Sequence, residues 1–201
     1  KIQLSANSVK QLVPVNELPY WIIYRNQLFD SVCQKLDFDV FEVFRDRQLT
    51  NKLLSSSGEL RVLKSRNLSD DGKAILDIPG YDSYISYAAA KSLSVFQYLD
   101  VPNIYLTPNM TYKPRMMKKP PHCVVNGSLA ILIPKGGIVP TEKQLAYFSS
   151  EEYRAFYQIA RNFQTRSLNV DACSVFFYGL LRDEAKPAPE KFDTSVQLSF
   201  L

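Results

Sequence analysis

The apolar segments of this chain are short, and proline or glycine often separates them, which limits its possible folds more than any other feature. The segments most typical of strands are Leu60–Ser65 (LRVLKS), Asn103–Pro108 (NIYLTP) and Ser128–Ile133 (SLAILI). The clearest helix follows Ser150, a suitable N-cap, and has two glutamates in its first turn. Because strands and helices do not alternate regularly, the sequence predicts a single mixed α+β domain. We expect a twisted, largely antiparallel sheet of short strands and a few helices.

Other segments carry weaker structural signals. Helical spacing predicts a helix over Leu28–Leu36, and Thr141 is a candidate N-cap for the segment that follows it. Tyr20–Tyr24 (YWIIY) is predicted to be a strand or a packed anchor, and Val175–Leu181 (VFFYGLL) a buried strand. Phe38–Phe44 fits either a short helix or a strand.

The organisation along the chain indicates one folded domain with extensions. Residues 1–19 show no sustained period and are predicted to be a linker or N-terminal extension, residues 20–182 the domain, and residues 183–201 a polar, proline-rich tail. Because the first residue is Lys1, we expect a fragment of a longer protein. No apolar run approaches the length of a membrane span, and no signal peptide opens the chain. Three widely spaced cysteines favour reduced thiols and a cytoplasmic location.

Basic residues are concentrated in two stretches, although the net charge is only +4. One is Lys113–Lys119, which lies in a part of the chain without any acidic residue, between Asp100 and Glu142. The other is Arg45–Arg66, where few carboxylates oppose the basic side chains. If the fold placed both stretches on one face, they would attract phosphate; otherwise they are two ordinary solvated surfaces.

The residue patterns of common enzymes are missing. The only histidine, His122, adjoins Cys123, but adjacent residues seldom point at each other productively, and the sequence offers no group to orient them. The chain has no P-loop, no GxGxxG, no CxxC and no Asn/Asp-Pro-Pro-aromatic motif of amino-methyltransferases. Glu59-Leu-Arg and Asp70-Asp-Gly-Lys73 only weakly match the carboxylate–lysine pattern of nucleases. We therefore predict no catalytic, cofactor-binding or metal-binding residues in this chain.

One part of the chain, Leu36 to Tyr84, resembles the target recognition domains of restriction–modification systems. The resemblance is carried by Leu36–Val43, by the stretch RDRQLT at Arg45–Thr50, and by the strand RVLKSRNL at Arg61–Leu68 with the Asp-Gly turn after it. The run RSLNVDACSVFFYG at Arg166–Gly179 resembles the end of such a domain in adenine-specific methyltransferases. Relatives of this kind include type I specificity subunits and the C-terminal domains of fused type II enzymes.

This resemblance implies a function. Such a domain recognises a specific double-stranded DNA sequence and directs adenine-specific methylation, cleavage or both by methyltransferase or nuclease domains in the same parent chain or complex. S-adenosylmethionine would bind a neighbouring domain and not this chain. The paired repeat and the long coiled-coil helix of a complete type I specificity subunit are missing, which indicates a single recognition domain.

The resemblance also gives the basic residues a role. Arginine and lysine can bind guanine, asparagine and glutamine can bind adenine, and lysine can bind phosphate. Arg115 is predicted to be a base reader, and Lys118 and Lys119 to be phosphate contacts, whereas Arg66 and Asn67 could instead shape their loop. The predicted DNA-contacting residues are Arg45, Arg47, Gln48, Lys64, Arg66, Asn67, Tyr112, Lys113, Arg115, Lys118 and Lys119. Two alternatives remain open, namely a self-contained metal-dependent nuclease and a basic domain that binds an acidic protein partner.

Overall fold

The computed structural model describes residues 17–164 and 169–182. Most of the predicted N-terminal extension and the whole predicted C-terminal tail lie outside the described residues. The helices in these ranges are α1 (Gln27–Lys35), α2 (Tyr87–Lys91), α3 (Glu142–Tyr147) and α4 (Glu151–Ala160). The strands are β1 (Leu36–Asp37), β2 (Phe41–Phe44), β3 (Leu60–Leu63), β4 (Ser83–Ile85), β5 (Tyr105–Pro108), β6 (Met117–Lys118), β7 (Cys123–Val125), β8 (Leu129–Pro134) and β9 (Leu180–Leu181). Short 3-10 turns occupy Asn51–Leu53, Ser65–Asn67, Ser94–Tyr98, Lys135–Gly137 and Ser174–Phe177.

The described strands form three sheets. The largest is antiparallel and has the order β2-β8-β5-β6, with Phe41 opposite Pro134 and Tyr105 opposite Leu132. In the second sheet, β3 lies between β4, to which it is antiparallel, and β7, to which it is parallel. The third sheet pairs β1 with β9. The predicted α+β class with short, largely antiparallel strands is confirmed, and the strands are divided among three sheets.

The four-stranded sheet separates two hydrophobic cores. Along its central strand β8, Ala130 and Leu132 point into one core, while Leu129 and Ile131 point into the other. The first, called here the aromatic core, lies against α1 and α4 and contains most of the large buried rings, among them Phe29, Phe41, Tyr105, Phe148, Tyr153, Phe156, Tyr157, Phe177 and Tyr178. The second, the aliphatic core, lies between this sheet and the sheet of β3, β4 and β7, and consists mainly of leucine, valine and isoleucine. A strand that is buried on both faces has a continuous apolar sequence, as the segment SLAILI predicts.

The helix starts and β2 follow simple local rules. Thr141 and Ser150 accept hydrogen bonds from the backbone N–H groups of Gln144 and Tyr153, at 3.3 and 3.1 Å, so both predicted N-caps are confirmed. In the segment Phe38–Phe44, whose sequence fitted either a helix or a strand, the residues Phe41–Phe44 form strand β2. None of the helices in the described ranges is both long and apolar enough to cross a membrane.

The structure decides between the two predictions for Tyr20–Tyr24 and corrects one predicted strand. Tyr20–Tyr24 is a packed anchor without strand structure; its even-numbered residues Tyr20 and Ile22 pack against the aromatic core, while Trp21 is 80% exposed. In the run Val175–Leu181, the residues up to Phe177 belong to a 3-10 turn, and only the last two form β9. Mutual hydrogen bonds of 2.8 Å between Asp171 and Ser174 begin this turn. A short apolar run is compatible with burial in either conformation, so its periodicity could not distinguish them.

Candidate nucleic-acid interface

The two basic stretches meet at one cleft. Arg115, from the second stretch, donates from Nη2 to the carbonyl oxygens of Ser65 at 3.1 Å and Leu68 at 3.2 Å. Arg45, from the first stretch, donates from Nη1 to Oδ1 of Asn109 at 3.3 Å. Arg115 and Asn109 line a cleft of about 230 Å³, called here the arginine cleft. Its lining residues are Ser65, Arg66, Pro108, Asn109, Met110, Thr111, Arg115, Gly127 and Ser128. The two basic stretches are therefore in contact at this cleft, through Arg115 and Ser65.

Asn109 holds the floor of the arginine cleft. It directly follows β5, is only 5% exposed, and donates from Nδ2 to the carbonyl of Gly127 at 3.1 Å and to Asn169 at 3.0 Å. Its Oδ1 accepts from the backbone N–H of Val170 at 2.9 Å. A side chain at Gly127 would place its Cβ 2.5 Å from the carbonyl oxygen of Asp46, so the loop after β7 can approach the loop after β2 only with glycine there. These contacts fix three loops around the cleft.

The turn Ser65–Asn67 is held by the fully buried side chain of Asn67. Its Oδ1 accepts from the N–H of Lys64 at 2.9 Å, and its Nδ2 donates to the Leu76 carbonyl at 3.0 Å and to Asp82 at 2.7 Å. Lys64 donates from Nζ to Ser83 at 2.9 Å and to the carbonyl of Tyr81, and partial burial lowers the pKa of this lysine. Asn67 and Lys64 therefore shape the turn, which fits the loop-shaping alternative for Asn67 and leaves little of its amide for DNA.

Arg66 lies at the exposed tip of the same turn. Its guanidinium carbon is 4.7 Å from the centroid of the Tyr81 ring, and Nζ of Lys64 is 3.9 Å from the same centroid. Within the described part of the chain, the guanidinium of Arg66 makes no hydrogen bond and no salt bridge. Arg66 therefore presents its N–H groups at the mouth of the arginine cleft.

In the stretch Lys113–Lys119, the four basic side chains divide into two kinds. Arg115 is 8% exposed and also donates to the Lys113 carbonyl at 3.2 Å, while Lys119 is 6% exposed and donates to the carbonyls of Leu99 at 2.7 Å and Pro120 at 3.0 Å. Burial lowers the pKa of both side chains. Direct contact of Arg115 with a base, or of Lys119 with a phosphate, would require these internal hydrogen bonds to break. Only Lys113 and Lys118 are exposed.

The other predicted contacts have different surroundings. Arg47 is exposed, and Gln48 is exposed but accepts at Oε1 from the N–H of Ser94 at 2.7 Å. Tyr112 is half-buried against the aromatic core and donates its hydroxyl to the Gln164 carbonyl, and burial raises its pKa. The Tyr112 ring is thus partly occupied by packing, which leaves less of it for stacking on a base than the sequence predicted.

Lys118 lines a second cleft, of about 590 Å³, called here the lysine cleft. A Cβ added to Gly72, in this cleft, would lie 2.9 Å from the Met116 carbonyl and 3.5 Å from Cβ of Arg115, so the turn at Gly72 packs tightly on the segment that joins the two clefts. The lining residues are Asp71, Gly72, Lys73, Met116, Met117, Lys118, Glu142, Lys143, Leu145 and Ala146. Consecutive residues of the chain, Met116 and Arg115, therefore line the lysine cleft and the arginine cleft respectively.

The sequence analysis did not identify several residues that define the arginine cleft. Asn109 could have been noticed as a polar residue directly after a buried strand, where functional loops often begin. Met110, which is 63% exposed at the cleft, follows it. Nothing near Tyr81 in the sequence indicates its contact with Arg66, because that contact depends on the pairing of β3 with β4.

The predicted non-catalytic pair has one partner that the sequence did not reveal. Nδ1 of His122 lies 3.4 Å from Oδ1 of Asp100, with the imidazole 78% exposed. Cys123 lies in β7, and burial raises the pKa of its thiol, which is the opposite of an activated nucleophile. Within residues 17–164 and 169–182, no three His, Cys, Asp or Glu side chains are grouped so as to hold a metal ion.

A scan against models of known protein families found no match, and a search of curated proteins found no similar sequence. The function of this chain is therefore inferred from its own residues and their geometry.

Proposed function

We propose that this chain is the double-stranded DNA recognition domain of a restriction–modification enzyme. It selects the sequence at which neighbouring domains carry out adenine-specific methylation, cleavage or both. The observation that carries the proposal is the arginine cleft, which is lined by Arg66 and Arg115 from the two separate basic stretches. Arg45 donates to Asn109, another lining residue of this cleft. Loops positioned by a rigid scaffold are the usual place for residues that read a ligand.

Both basic stretches offer exposed cations for binding a duplex. Exposed Arg47, Arg66, Lys113 and Lys118 come from both basic stretches and can release condensed counterions from phosphates. Partly buried Lys64 and buried Arg115 and Lys119 add positive potential while their hydrogen bonds fix the loops. Affinity through phosphates and selectivity through base edges would then come from different side chains.

The proposal assigns the chemistry to other domains. The methyltransferase domain, and a nuclease domain where the parent enzyme has one, would bind S-adenosylmethionine or metal and act on the DNA that this domain positions. Such an enzyme acts on DNA in the cytoplasm.

A selection from random duplexes tests the proposal. The chain is incubated with a randomised duplex library without divalent metal, and the bound fraction is amplified and sequenced. We expect one sequence to be enriched and to bind at least about a thousandfold more tightly than a scrambled duplex, as specific DNA-binding proteins do. Equal binding of all duplexes, or no binding at all, would exclude sequence recognition.

One observation favours the nuclease alternative enough for a direct test. Asp71, Lys73 and Glu142 line the same lysine cleft, which places two carboxylates and a lysine together. The hydroxyl of Ser69 donates to Asp71 at 2.6 Å and lowers the pKa of this carboxyl, which therefore stays ionised. Nicking of supercoiled DNA with Mg²⁺ or Mn²⁺ that is abolished by Asp71→Asn and Glu142→Gln, but not by Asp77→Asn, would establish a nuclease. Absence of both duplex binding and nicking would favour the basic protein-interaction domain.

A further inference from the structure

We propose that Arg66 reads a guanine, and that Tyr81 is the residue that positions it. This inference rests on the proposed DNA-recognition function and assigns one part of that function to two side chains. It differs from the sequence-based prediction, in which Arg115 was the base reader.

The backbone that carries Arg66 is firmly placed. The turn Ser65–Asn67 directly follows β3, the central strand of its sheet. Asn67 fastens the turn to Leu76 and Asp82, and the N–H of Leu76 donates back to the Asn67 carbonyl at 2.7 Å. On the other side, Arg115 donates to the carbonyl of Ser65. A base-reading side chain needs such support, because misplacement by about 1 Å is enough to lose a designed contact.

The ring of Tyr81 is in contact with the guanidinium of Arg66 and restricts its position. The guanidinium carbon of Arg66 lies 4.7 Å from the centroid of this ring, within the range of a cation–π contact. Lys64 fastens Tyr81 in turn, because its Nζ donates to the Tyr81 carbonyl and lies over the same ring. Tyr81 therefore restricts where the guanidinium of Arg66 lies, and the N–H groups of this guanidinium make no hydrogen bond within the described residues.

The two arginines that line the arginine cleft and Arg45 beside Asn109 are not equally able to read a base. Nη2 of Arg115 already donates to two carbonyl groups, and Nη1 of Arg45 donates to Asn109. Arg66 alone among these three has no hydrogen bond within the described residues. A planar guanidinium with a free edge matches the adjacent O6 and N7 acceptors of guanine in the major groove. A phosphate does not require a fixed plane, and exposed Lys113 and Arg47 are available for that contact.

The test uses the duplex enriched from the random library. Each guanine of that duplex is replaced in turn by 7-deazaguanine, which lacks the N7 acceptor, and binding is measured for the wild type, Arg66→Ala, Arg66→Lys, Tyr81→Phe and Tyr81→Leu. For the wild type, we expect one position where the replacement weakens binding about fivefold, the lower end of the range for a bidentate contact, because O6 still accepts. Arg66→Ala removes both hydrogen bonds, so it should bind the unmodified duplex more weakly by about 5- to 150-fold and lose sensitivity at that position only.

The other variants separate positioning from a merely structural role. Tyr81→Phe keeps the ring and should behave like the wild type, whereas Tyr81→Leu should reduce discrimination at the same guanine and leave binding to a scrambled duplex unchanged. Arg66→Lys should not restore discrimination, since lysine lacks the planar pair of donors. Because Arg66 is exposed, Arg66→Ala retains the fold, which circular dichroism verifies.

The possible failures are distinguishable. If a sequence is enriched but Arg66→Ala keeps its sensitivity at every guanine, the Arg66 assignment is overturned and the proposed function stands. If Arg66→Ala weakens cognate and scrambled duplexes equally, Arg66 is a phosphate contact and not a reader. If no sequence is enriched, the proposed function and the assignment that rests on it are both overturned.

Discussion

The turn Ser65–Asn67 and the segment Lys113–Lys119 meet at the same cleft but use their polar side chains in opposite ways. In the turn, the buried group is a neutral amide, Asn67, and the exposed group is a cation, Arg66. In the segment, the buried groups are themselves cations, Arg115 and Lys119. A buried cation costs more desolvation free energy than a buried amide with the same hydrogen bonds. Anchoring the turn therefore costs less desolvation free energy than anchoring the segment.

The strands next to the turn and in the segment also differ in how firmly they are held. The turn leaves β3, which has neighbours on both sides, whereas the segment leads into β6, which is only two residues long and pairs with β5 alone. Edge strands are less restrained than central ones. We infer that the turn suits the rigid reading of a base and the segment the adaptable binding of phosphates.

The largest effect should come from the amide that anchors the turn. Asn67→Ala removes three hydrogen bonds and leaves the Lys64 N–H and the Leu76 carbonyl without this partner. We expect the free energy of unfolding to fall by about 3 kcal/mol, at the upper end for an unsatisfied buried group. Urea denaturation measures this value. The neighbouring Arg66→Ala is the matched control and should change it by less than about 0.5 kcal/mol.

A smaller effect is expected when the anchor is a cation. Arg115→Met keeps the length of the side chain but removes the donors to the carbonyls of Lys113, Ser65 and Leu68. Because the substitution also removes the desolvation cost of a buried charge, we expect a net loss of about 2 kcal/mol in the free energy of unfolding. Lys113→Ala, two residues away and exposed, is the control. An increase in stability in Arg115→Met would contradict an anchoring role for Arg115.

The sequence predicted the local secondary structure better than it predicted which polar side chains are buried and which are exposed. The caps at Thr141 and Ser150 and the strand SLAILI were identified correctly because each depends on a few neighbouring residues. The gathering of basic residues into two stretches was equally visible. Which cation would be buried was not, because the carbonyl partners of Lys119 include Leu99, which lies 20 residues away in the sequence. Only the completed fold decides which cations become anchors.

Phosphate contacts should appear in the salt dependence of DNA binding. We expect Lys113→Ala and Lys118→Ala each to reduce the slope of log K against log salt by about 0.9, with a severalfold loss of affinity for cognate and scrambled duplexes alike. Both lysines are exposed in the segment assigned to phosphate binding. Lys91→Ala, an exposed lysine at the end of α2, is the control and should leave the slope unchanged. A loss confined to the cognate duplex would move base reading into this segment.

The smallest effect concerns the buried charge of Lys119 and its dependence on pH. Burial lowers the pKa of Lys119 below the ordinary lysine value of 10.5, while the nearby Cys123 and Asp100 oppose this shift. Between the folded and the unfolded pKa, the unfolded chain binds more protons, so the contribution of Lys119 to the free energy of unfolding must increase as pH rises through this interval. Below the folded pKa, the lysine is charged in both states, and its desolvation cost is paid in full.

The measurement is the difference in the free energy of unfolding between Lys119 and Lys119→Met, followed from neutral pH towards 10.5 in a Cys123→Ala background, so that the thiol does not titrate. We expect the free energy of unfolding of the protein with Lys119 to increase relative to that of Lys119→Met as pH rises. Lys118→Met, which changes the adjacent exposed lysine, should show no such trend. A flat or falling difference for Lys119 would mean that its ammonium group stays solvated. It would then be available to phosphate, as the sequence first predicted, and the contrast between the turn and the segment would be reduced to Arg115 alone.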